Sequence, residues 1–67
     1  GGYDGLIFYR KIVDNIEKVL KENGELYFEI GFDQKDAVTE IMKEKFENIK
    51  TVKDYGGNDR LIFGQLR

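Results

Sequence analysis

The chain has 67 residues, of which 40% are apolar and 36% charged, and its formal net charge is -2. This length allows one small domain, which buries only about 60% of the surface that its unfolded chain exposes. Cysteine, histidine, proline and tryptophan are all absent. The missing residues exclude disulfides, thiolate chemistry and histidine as a general base or ligand, so we expect no metal site.

The charge balance and the apolar runs limit the partners. Eleven basic side chains stand against 13 acidic ones, which gives no electrostatic reason to expect direct nucleic-acid binding. No apolar run approaches the roughly 20 residues that span a bilayer, and no signal peptide is recognisable. We therefore expect a soluble chain with no membrane partner, and the lack of disulfide staples favours a cytoplasmic location.

The first predicted element is an amphipathic helix from Leu6 to Leu20, because apolar residues recur there at spacings of three and four. Its apolar stripe consists of Leu6, Tyr9, Ile12, Val13, Ile16, Val19 and Leu20. The Asn23-Gly24 pair predicts the end of this helix, with Gly24 in the left-handed conformation that glycine adopts without a steric clash.

A strand is predicted over residues 26–30, where apolar and mixed positions alternate. Its apolar face consists of Leu26, Phe28 and Ile30, and Tyr27 and Glu29 form the other face. Gly31 ends the strand, and Asp33 is a candidate N-cap for a second helix that continues to Phe46.

Two further strands are predicted in the last third of the chain. Residues 48–55 are rich in β-branched side chains, residues 56–59 form a turn signal, and residues 61–63 are a continuous apolar run. The strand-helix-strand unit over 26–52 has the length of a right-handed crossover, so its two strands should be parallel. The last strand should run antiparallel to its predecessor. The predicted fold class is α/β, in the order helix, strand, helix, strand, strand.

Composition and spacing predict no self-sufficient active site. The turn over residues 31–34 leads from a strand into a helix, as a phosphate loop does, but it holds one glycine and an acidic side chain that repels phosphate. The carboxylates that could act as general acid or base are Asp4, Glu29, Asp33 and Asp59, although solvent exposure is the ordinary state of such residues. Tyr3, Phe32 and Tyr55 fall in turn segments, apart from the aromatic residues expected in the core.

Three strings carry a family resemblance. Residues 1–10 read Gly-Gly-Tyr-Asp-Gly-Leu-Ile-Phe-Tyr-Arg, residues 29–34 read Glu-Ile-Gly-Phe-Asp-Gln, and residues 53–60 read Lys-Asp-Tyr-Gly-Gly-Asn-Asp-Arg. In this order they resemble three stretches of the HemK-type protein-(glutamine-N5) methyltransferases, which modify the Gly-Gly-Gln glutamine of peptide chain release factors. That family's terminal strand ends in a glycine, which Gly64 matches.

The resemblance implies that residues 1–67 are a single partial domain, the C-terminal part of a class I S-adenosylmethionine-dependent methyltransferase. The Rossmann-like sheet of that class has the strand order 3-2-1-4-5-7-6, with strand seven antiparallel. Its cofactor loop, its ribose-binding acid and its Asn-Pro-Pro-Tyr motif would precede Gly1, and a chain without proline cannot contain that motif. We therefore assign no catalytic or cofactor-binding residue, and we expect the isolated chain to be inactive and to hold no cofactor.

Ligands of open α/β sheets lie outside the carboxyl ends of the parallel strands, and all three strings should lie at that edge. Tyr3, Phe32, Gln34 and Tyr55 are thus candidate contacts to a release factor. The competing interpretation is that the glycines there merely satisfy turn geometry.

Separated from the rest of a methyltransferase, the chain would expose a strand edge and a sheet face. An unpaired strand edge is a template for another chain, so we expect self-association, in the simplest case as a two-fold dimer. The alternative function is a non-catalytic α/β interaction or dimerisation module.

Overall fold

Two helices and three strands make up the fold, in a computed structural model that describes residues 5–67. The helices are α1 (Ile7–Asp14) and α2 (Lys35–Met42), and a single 3-10 turn over Ile16–Lys18 follows α1. The strands are β1 (Glu25–Glu29), β2 (Phe46–Lys53) and β3 (Asp59–Leu66). The predicted α/β class and the predicted order of helices and strands are confirmed.

The sheet has the spatial order β1-β3-β2, and its central strand β3 is antiparallel to both neighbours. Ile62 on β3 lies opposite Phe28 on one side and opposite Thr51 on the other. Because β1 and β2 are each antiparallel to β3, they run in the same direction, as the strand-helix-strand unit predicts. The antiparallel last strand is also confirmed.

Both helices pack on one face of this sheet and share one core with it. The buried side chains are Tyr9, Val13, Ile16, Phe28, Ile30, Val38, Ile41, Met42, Phe46, Ile62 and Leu66. On the opposite face, the rings of Tyr27 and Phe63 stack at a centroid distance of 5.0 Å, and no element within residues 5–67 covers them. Glu29 is exposed, as its place in the alternation predicts.

The prediction of a continuous first helix to Leu20 is wrong. The α-helix ends at Asp14, where the Asn15 side-chain amide donates to the Lys11 carbonyl oxygen at 2.8 Å. Asparagine side chains compete in this way for backbone groups, and the chain tightens into a 3-10 turn. Val19 consequently leaves the apolar stripe and is 82% exposed.

The left-handed residue before β1 is Asn23, with φ 70°, and not Gly24 as predicted. Gly24 is needed for a close approach instead, because an added Cβ would lie 2.6 Å from Leu20 Cδ1 and 2.9 Å from the Lys21 carbonyl oxygen. Backbone hydrogen bonds also tie residues 23–24 to the end of β3. The Asn23 N–H donates to the Leu66 carbonyl, and the Leu66 N–H donates to the Gly24 carbonyl, both at 2.8 Å.

The second helix is shorter than predicted at both ends. Gln34 precedes its first residue, and no side chain caps it, so Asp33 is not the N-cap. The helix ends at Met42, and Phe46 already belongs to β2, where it is fully buried opposite Leu66. β2 begins and ends two residues earlier than the predicted 48–55, and β3 extends beyond the predicted 61–63 at both ends. Pairing with a neighbour decides where each strand ends.

Candidate functional site

Two turns meet at one edge of the sheet, where the parallel strands β1 and β2 have their carboxyl ends. The β1–α2 turn contains Phe32 and Gln34, and the β2–β3 turn contains Tyr55. The Ile30 N–H donates to the Arg60 carbonyl oxygen at 2.9 Å and so ties the first turn to the start of β3. A shallow surface cleft of about 300 Å³ lies here, lined by Phe32, Asp33, Lys35, Asp36 and Asp59.

The Gln34 side chain is anchored at this edge through its amide oxygen. Its Oε1 accepts hydrogen bonds from the Gly31 N–H at 2.8 Å and from the Tyr9 hydroxyl at 3.2 Å. Since a backbone N–H can only donate, the amide atom beside it must be the oxygen, and Nε2 faces away from both groups. An added Cβ on Gly31 would lie 3.2 Å from this Oε1, so glycine at that position leaves room for the side chain.

Tyr9 reaches the edge from α1. Its buried ring packs edge-to-face on Phe28 at a centroid distance of 4.9 Å, and its hydroxyl lies 3.0 Å from the Glu29 carbonyl oxygen as well as near Gln34. Burial raises the pKa of the Tyr9 phenol above its usual 10.0. Sequence reasoning placed Tyr9 in the apolar stripe and in the first string, but gave it no contact at this edge. The sequence did contain a signal for this contact, since a tyrosine at a core position has a buried hydroxyl that needs a hydrogen-bond partner.

Asp54 organises the second turn. Its Oδ1 accepts from the backbone N–H groups of Gly56 and Asn58 at 2.9 and 3.0 Å, and its Oδ2 pairs with the Arg60 guanidinium at 3.0 Å. The Asn58 N–H first, and then Arg60, lower the pKa of the Asp54 carboxyl below its usual 3.8. Gly57 has φ 82°, a backbone conformation that favours glycine. Sequence reasoning included Asp54 and Arg60 in the third string, but gave neither residue a structural role.

The predicted contact residues differ in their surroundings. Phe32 is 70% exposed and Tyr55 is fully exposed, whereas Gln34 is half-buried and anchored. Tyr3 lies outside the described residues. The structure thus brings Phe32 and Gln34 together in one turn and puts Tyr55 in the other turn of the same edge.

Two of the carboxylates considered for acid or base chemistry, Asp33 and Asp59, line the same cleft, and Asp59 pairs with Lys53 at 2.9 Å. Glu29 is exposed, and Asp4 lies outside the described residues. Within residues 5–67, no three acidic side chains are arranged to hold a metal ion. In the same range, no helix has the length and apolar character needed to cross a bilayer.

The sequence is similar to curated release factor glutamine methyltransferases over nearly its whole length. It is 47% identical over 66 residues to the protein of Thermodesulfovibrio yellowstonii, which covers 97% of this chain. Identities of 44% and 48% over 63 residues relate it to the proteins of Clostridium botulinum and Agrobacterium fabrum, each covering 92% of this chain. The chain matches a C-terminal segment of the release factor glutamine methyltransferases. It spans only 22% to 24% of the length of these three relatives.

No family model and no solved structure matches the chain. The resemblance to HemK-type methyltransferases drawn from three strings is nevertheless confirmed by these relatives.

Direct hydrogen bonds connect the three strings that carry the release factor glutamine methyltransferase resemblance. Tyr9 of the first string bonds Gln34 of the second, and Ile30 of the second bonds Arg60 of the third. Gly31 and Asp54 have local structural roles, so turn geometry accounts for their presence in the strings. Phe32 and Tyr55 project from the same turns into solvent and have no such role.

Proposed function

We propose that this chain is the C-terminal segment of an S-adenosylmethionine-dependent methyltransferase that methylates the glutamine of the Gly-Gly-Gln motif of peptide chain release factors. The observation that carries the proposal is the 44–48% identity, over 92–97% of the chain, to proteins named release factor glutamine methyltransferase. The cytoplasm is the compartment we propose for the parent protein. The catalytic and cofactor-binding residues of that parent lie in the part of it outside this chain.

The strand order supports a particular place in the parent sheet. With β3 between β1 and β2 and antiparallel to both, the three strands have the arrangement that strands 5, 7 and 6 have in a class I methyltransferase sheet. In this assignment the outer edge of β1 pairs with strand 4 of the parent, and other helices cover the face of Tyr27 and Phe63.

A direct test is methylation by the full-length protein that contains this segment. The purified parent, a release factor and radiolabelled S-adenosylmethionine should give a labelled release factor. A release factor whose Gly-Gly-Gln glutamine is replaced by alanine is the matched control and should stay unlabelled. Equal labelling of both, or none of either, contradicts the proposed function.

The exposed side chains of the two turns are proposed as part of the release-factor docking rim, with Phe32, Gln34 and Tyr55 as contacts and Tyr3 as a fourth. Support comes from the exposure of Phe32 and Tyr55 at the carboxyl ends of two parallel strands. Replacing Phe32, Gln34 and Tyr55 together by alanine in the parent should lower kcat/KM for the release factor. The exposed Val19, next to the end of α1, offers a control substitution to alanine that should leave kcat/KM unchanged. An unchanged kcat/KM in the triple variant contradicts the rim.

The isolated chain is expected to have no methyltransferase activity and to bind no S-adenosylmethionine, because the family's cofactor motifs lie outside it. Isothermal titration calorimetry of residues 1–67 with S-adenosylmethionine tests this expectation, with the full-length parent as the positive control. Low-micromolar binding by the isolated chain contradicts the expectation.

A second candidate function, a non-catalytic interaction or dimerisation module, is favoured by the open side of the sheet. Within residues 5–67, β1 pairs only with β3, and Tyr27 is 52% exposed on the uncovered face. We propose that the isolated chain self-associates through this edge or face. Light scattering at high micromolar concentration should give a dimer mass for the chain and for the control Val19→Lys, but a monomer mass for Tyr27→Lys. A monomeric unsubstituted chain contradicts self-association.

A further inference from the structure

We propose that Tyr9 is a positioning residue: it holds the Gln34 side chain so that the Nε2 amide donates a hydrogen bond to a peptide carbonyl oxygen of the protein substrate. This inference rests on the proposed function and adds to it the polar chemistry by which the edge recognises its partner.

The orientation of the Gln34 amide is fixed by the Gly31 N–H, which donates to Oε1 at 2.8 Å. The Tyr9 hydroxyl lies 3.2 Å from the same oxygen, and its single proton is shared between that oxygen and the Glu29 carbonyl oxygen at 3.0 Å. A flipped amide would put its NH2 group against the Gly31 N–H, which can only donate. The side chain therefore keeps its oxygen inward and its nitrogen outward.

Among residues 5–67, the outward nitrogen Nε2 of Gln34 forms no hydrogen bond, and both contacts of the amide are made by Oε1. The described part of the chain has no buried side-chain nitrogen or oxygen without a partner, so solvent must reach this half-buried nitrogen. A donor that is anchored through its own oxygen needs little further ordering when an acceptor arrives, which favours binding.

Tyr9 itself cannot shift easily. Its ring is buried and lies edge-to-face against Phe28, and its hydroxyl is shared between Gln34 and the Glu29 carbonyl at the end of β1. The hydroxyl thus connects α1 to the turn that carries Gln34. Loss of that one oxygen would leave Gln34 held only by Gly31.

The surroundings favour a neutral acceptor. Asp33 precedes Gln34 in the chain, and Asp36 follows it by two residues. Together with Asp59 they line the adjoining cleft, where Lys35 is the one basic lining residue. Carboxylate or phosphate acceptors would be repelled there. Phe32, which is 70% exposed, adds an apolar surface beside the donor. A peptide carbonyl next to an apolar side chain fits this combination.

The test measures steady-state kinetics of the full-length methyltransferase that contains this segment. Gln34→Ala should raise KM for the release factor about 2- to 12-fold, the effect of one ordinary hydrogen bond, and leave kcat and KM for S-adenosylmethionine within twofold. Tyr9→Phe should raise the same KM by at least about twofold, because the ring remains but the anchor is lost. The double variant should be no worse than Gln34→Ala alone, since Tyr9 acts through Gln34.

Thr39→Val is the matched control. It also deletes one hydroxyl, and that hydroxyl bonds only the Lys35 carbonyl within α2, at 2.7 Å. Its KM for the release factor should be unchanged. Additive effects of Tyr9→Phe and Gln34→Ala would overturn the positioning role, because a merely structural Tyr9 would act independently of Gln34.

Hydrogen exchange of the Gly31 amide in the same proteins tests the Tyr9 anchor independently of the substrate contact. Exchange should be faster in Tyr9→Phe and in Gln34→Ala than in Thr39→Val, and unchanged exchange in Tyr9→Phe overturns the anchor even if a variant is too unstable for kinetics. An active parent with an unchanged KM in Gln34→Ala refutes only the substrate contact. A parent that labels no release factor refutes the proposed function and the contact together.

Discussion

Replacing Gly64 with alanine tests how closely the sheet packs against α2. Gly64 is buried in the central strand β3, and an added Cβ would lie 3.1 Å from Ile49 Cγ1, 3.2 Å from Met42 Cε and 3.3 Å from Phe46 Cβ. Favourable contacts between carbon atoms lie at about 3.5–4.0 Å, so all three neighbours must retreat at once. The end of Met42 can rotate, but the Cβ of Phe46 moves only with the backbone of β2.

Two opposing effects set how far Gly64→Ala changes the free energy of unfolding. Alanine is favoured over glycine inside a strand by about 0.5–1 kcal/mol, because glycine loses more backbone entropy on folding. Overpacking a filled core costs about 1–3 kcal/mol. Met42 and Phe46 are fully buried and have little room to yield, so the steric cost should exceed the entropic gain. We expect Gly64→Ala to lower the free energy of unfolding by about 1 kcal/mol and Tm by about 4–8 °C.

Urea denaturation followed by circular dichroism measures this change. Gly56→Ala is the control, since its added Cβ would be 3.4 Å or more from any neighbour, and it should be neutral or slightly stabilising. Met42→Leu removes the terminal methyl group, so the double variant with Gly64→Ala should be less destabilised than the sum of the two single variants. A Gly64→Ala chain that is more stable than the unsubstituted chain would refute the steric reasoning.

Three further predictions concern the core and the two titratable groups with shifted pKa values. Phe46→Ala should lower the free energy of unfolding by about 3–5 kcal/mol because Phe46 is fully buried, whereas Phe32→Ala, at an exposed position, should change it by less than about 0.5 kcal/mol; thermal melting compares the two. The lowered pKa of Asp54 stabilises the fold above its usual value of 3.8, and this contribution is lost as the pH falls through the folded-state pKa. Urea titrations should therefore find Asp54→Asn less stable than the unsubstituted chain at neutral pH and equally stable in acid; a difference that persists in acid would contradict the ionised pair with Arg60. The raised pKa of Tyr9 means that its contribution is complete below its usual 10.0 and is lost as the pH rises from there through the folded-state pKa. In an ultraviolet titration, Tyr9→Phe should remove a tyrosine ionisation that occurs above the usual 10.0, and the loss of one at or below that value would argue against burial as the cause.

Local pattern was sufficient to predict the elements but not their ends. The stripe of three and four spacings predicted a helix from Leu6, and the helix begins one residue later at Ile7. Its end at Asp14 depends on the Asn15 side chain, which competes for a backbone carbonyl. Phe46 fits the periodicity of the second helix equally well. It belongs to β2 because pairing opposite Leu66 buries it completely, and a single sequence does not reveal that partner.

The candidate edge was predictable in outline. Chain order and strand direction place the β1–α2 and β2–β3 turns at the same edge, so Phe32, Gln34 and Tyr55 could be proposed from the sequence. Their different roles could not be proposed, because an exposed Phe32 and an anchored Gln34 look alike as turn residues. The anchor comes from Tyr9, 25 residues earlier in the chain, through a hydroxyl group that an apolar stripe does not predict.

The sequence by itself determined the class of molecule: a small α/β unit without cysteine or histidine chemistry, whose three strings resemble the release factor glutamine methyltransferases that its relatives are named for. Periodicity, turn residues and composition are local properties, and they suffice for that. Only the tertiary structure decided that Gly64 has no room for a side chain and that the three strings are joined through Tyr9, Gln34 and Arg60. The physical reason is that packing and hydrogen bonds between residues distant in the chain depend on distances that no single segment contains.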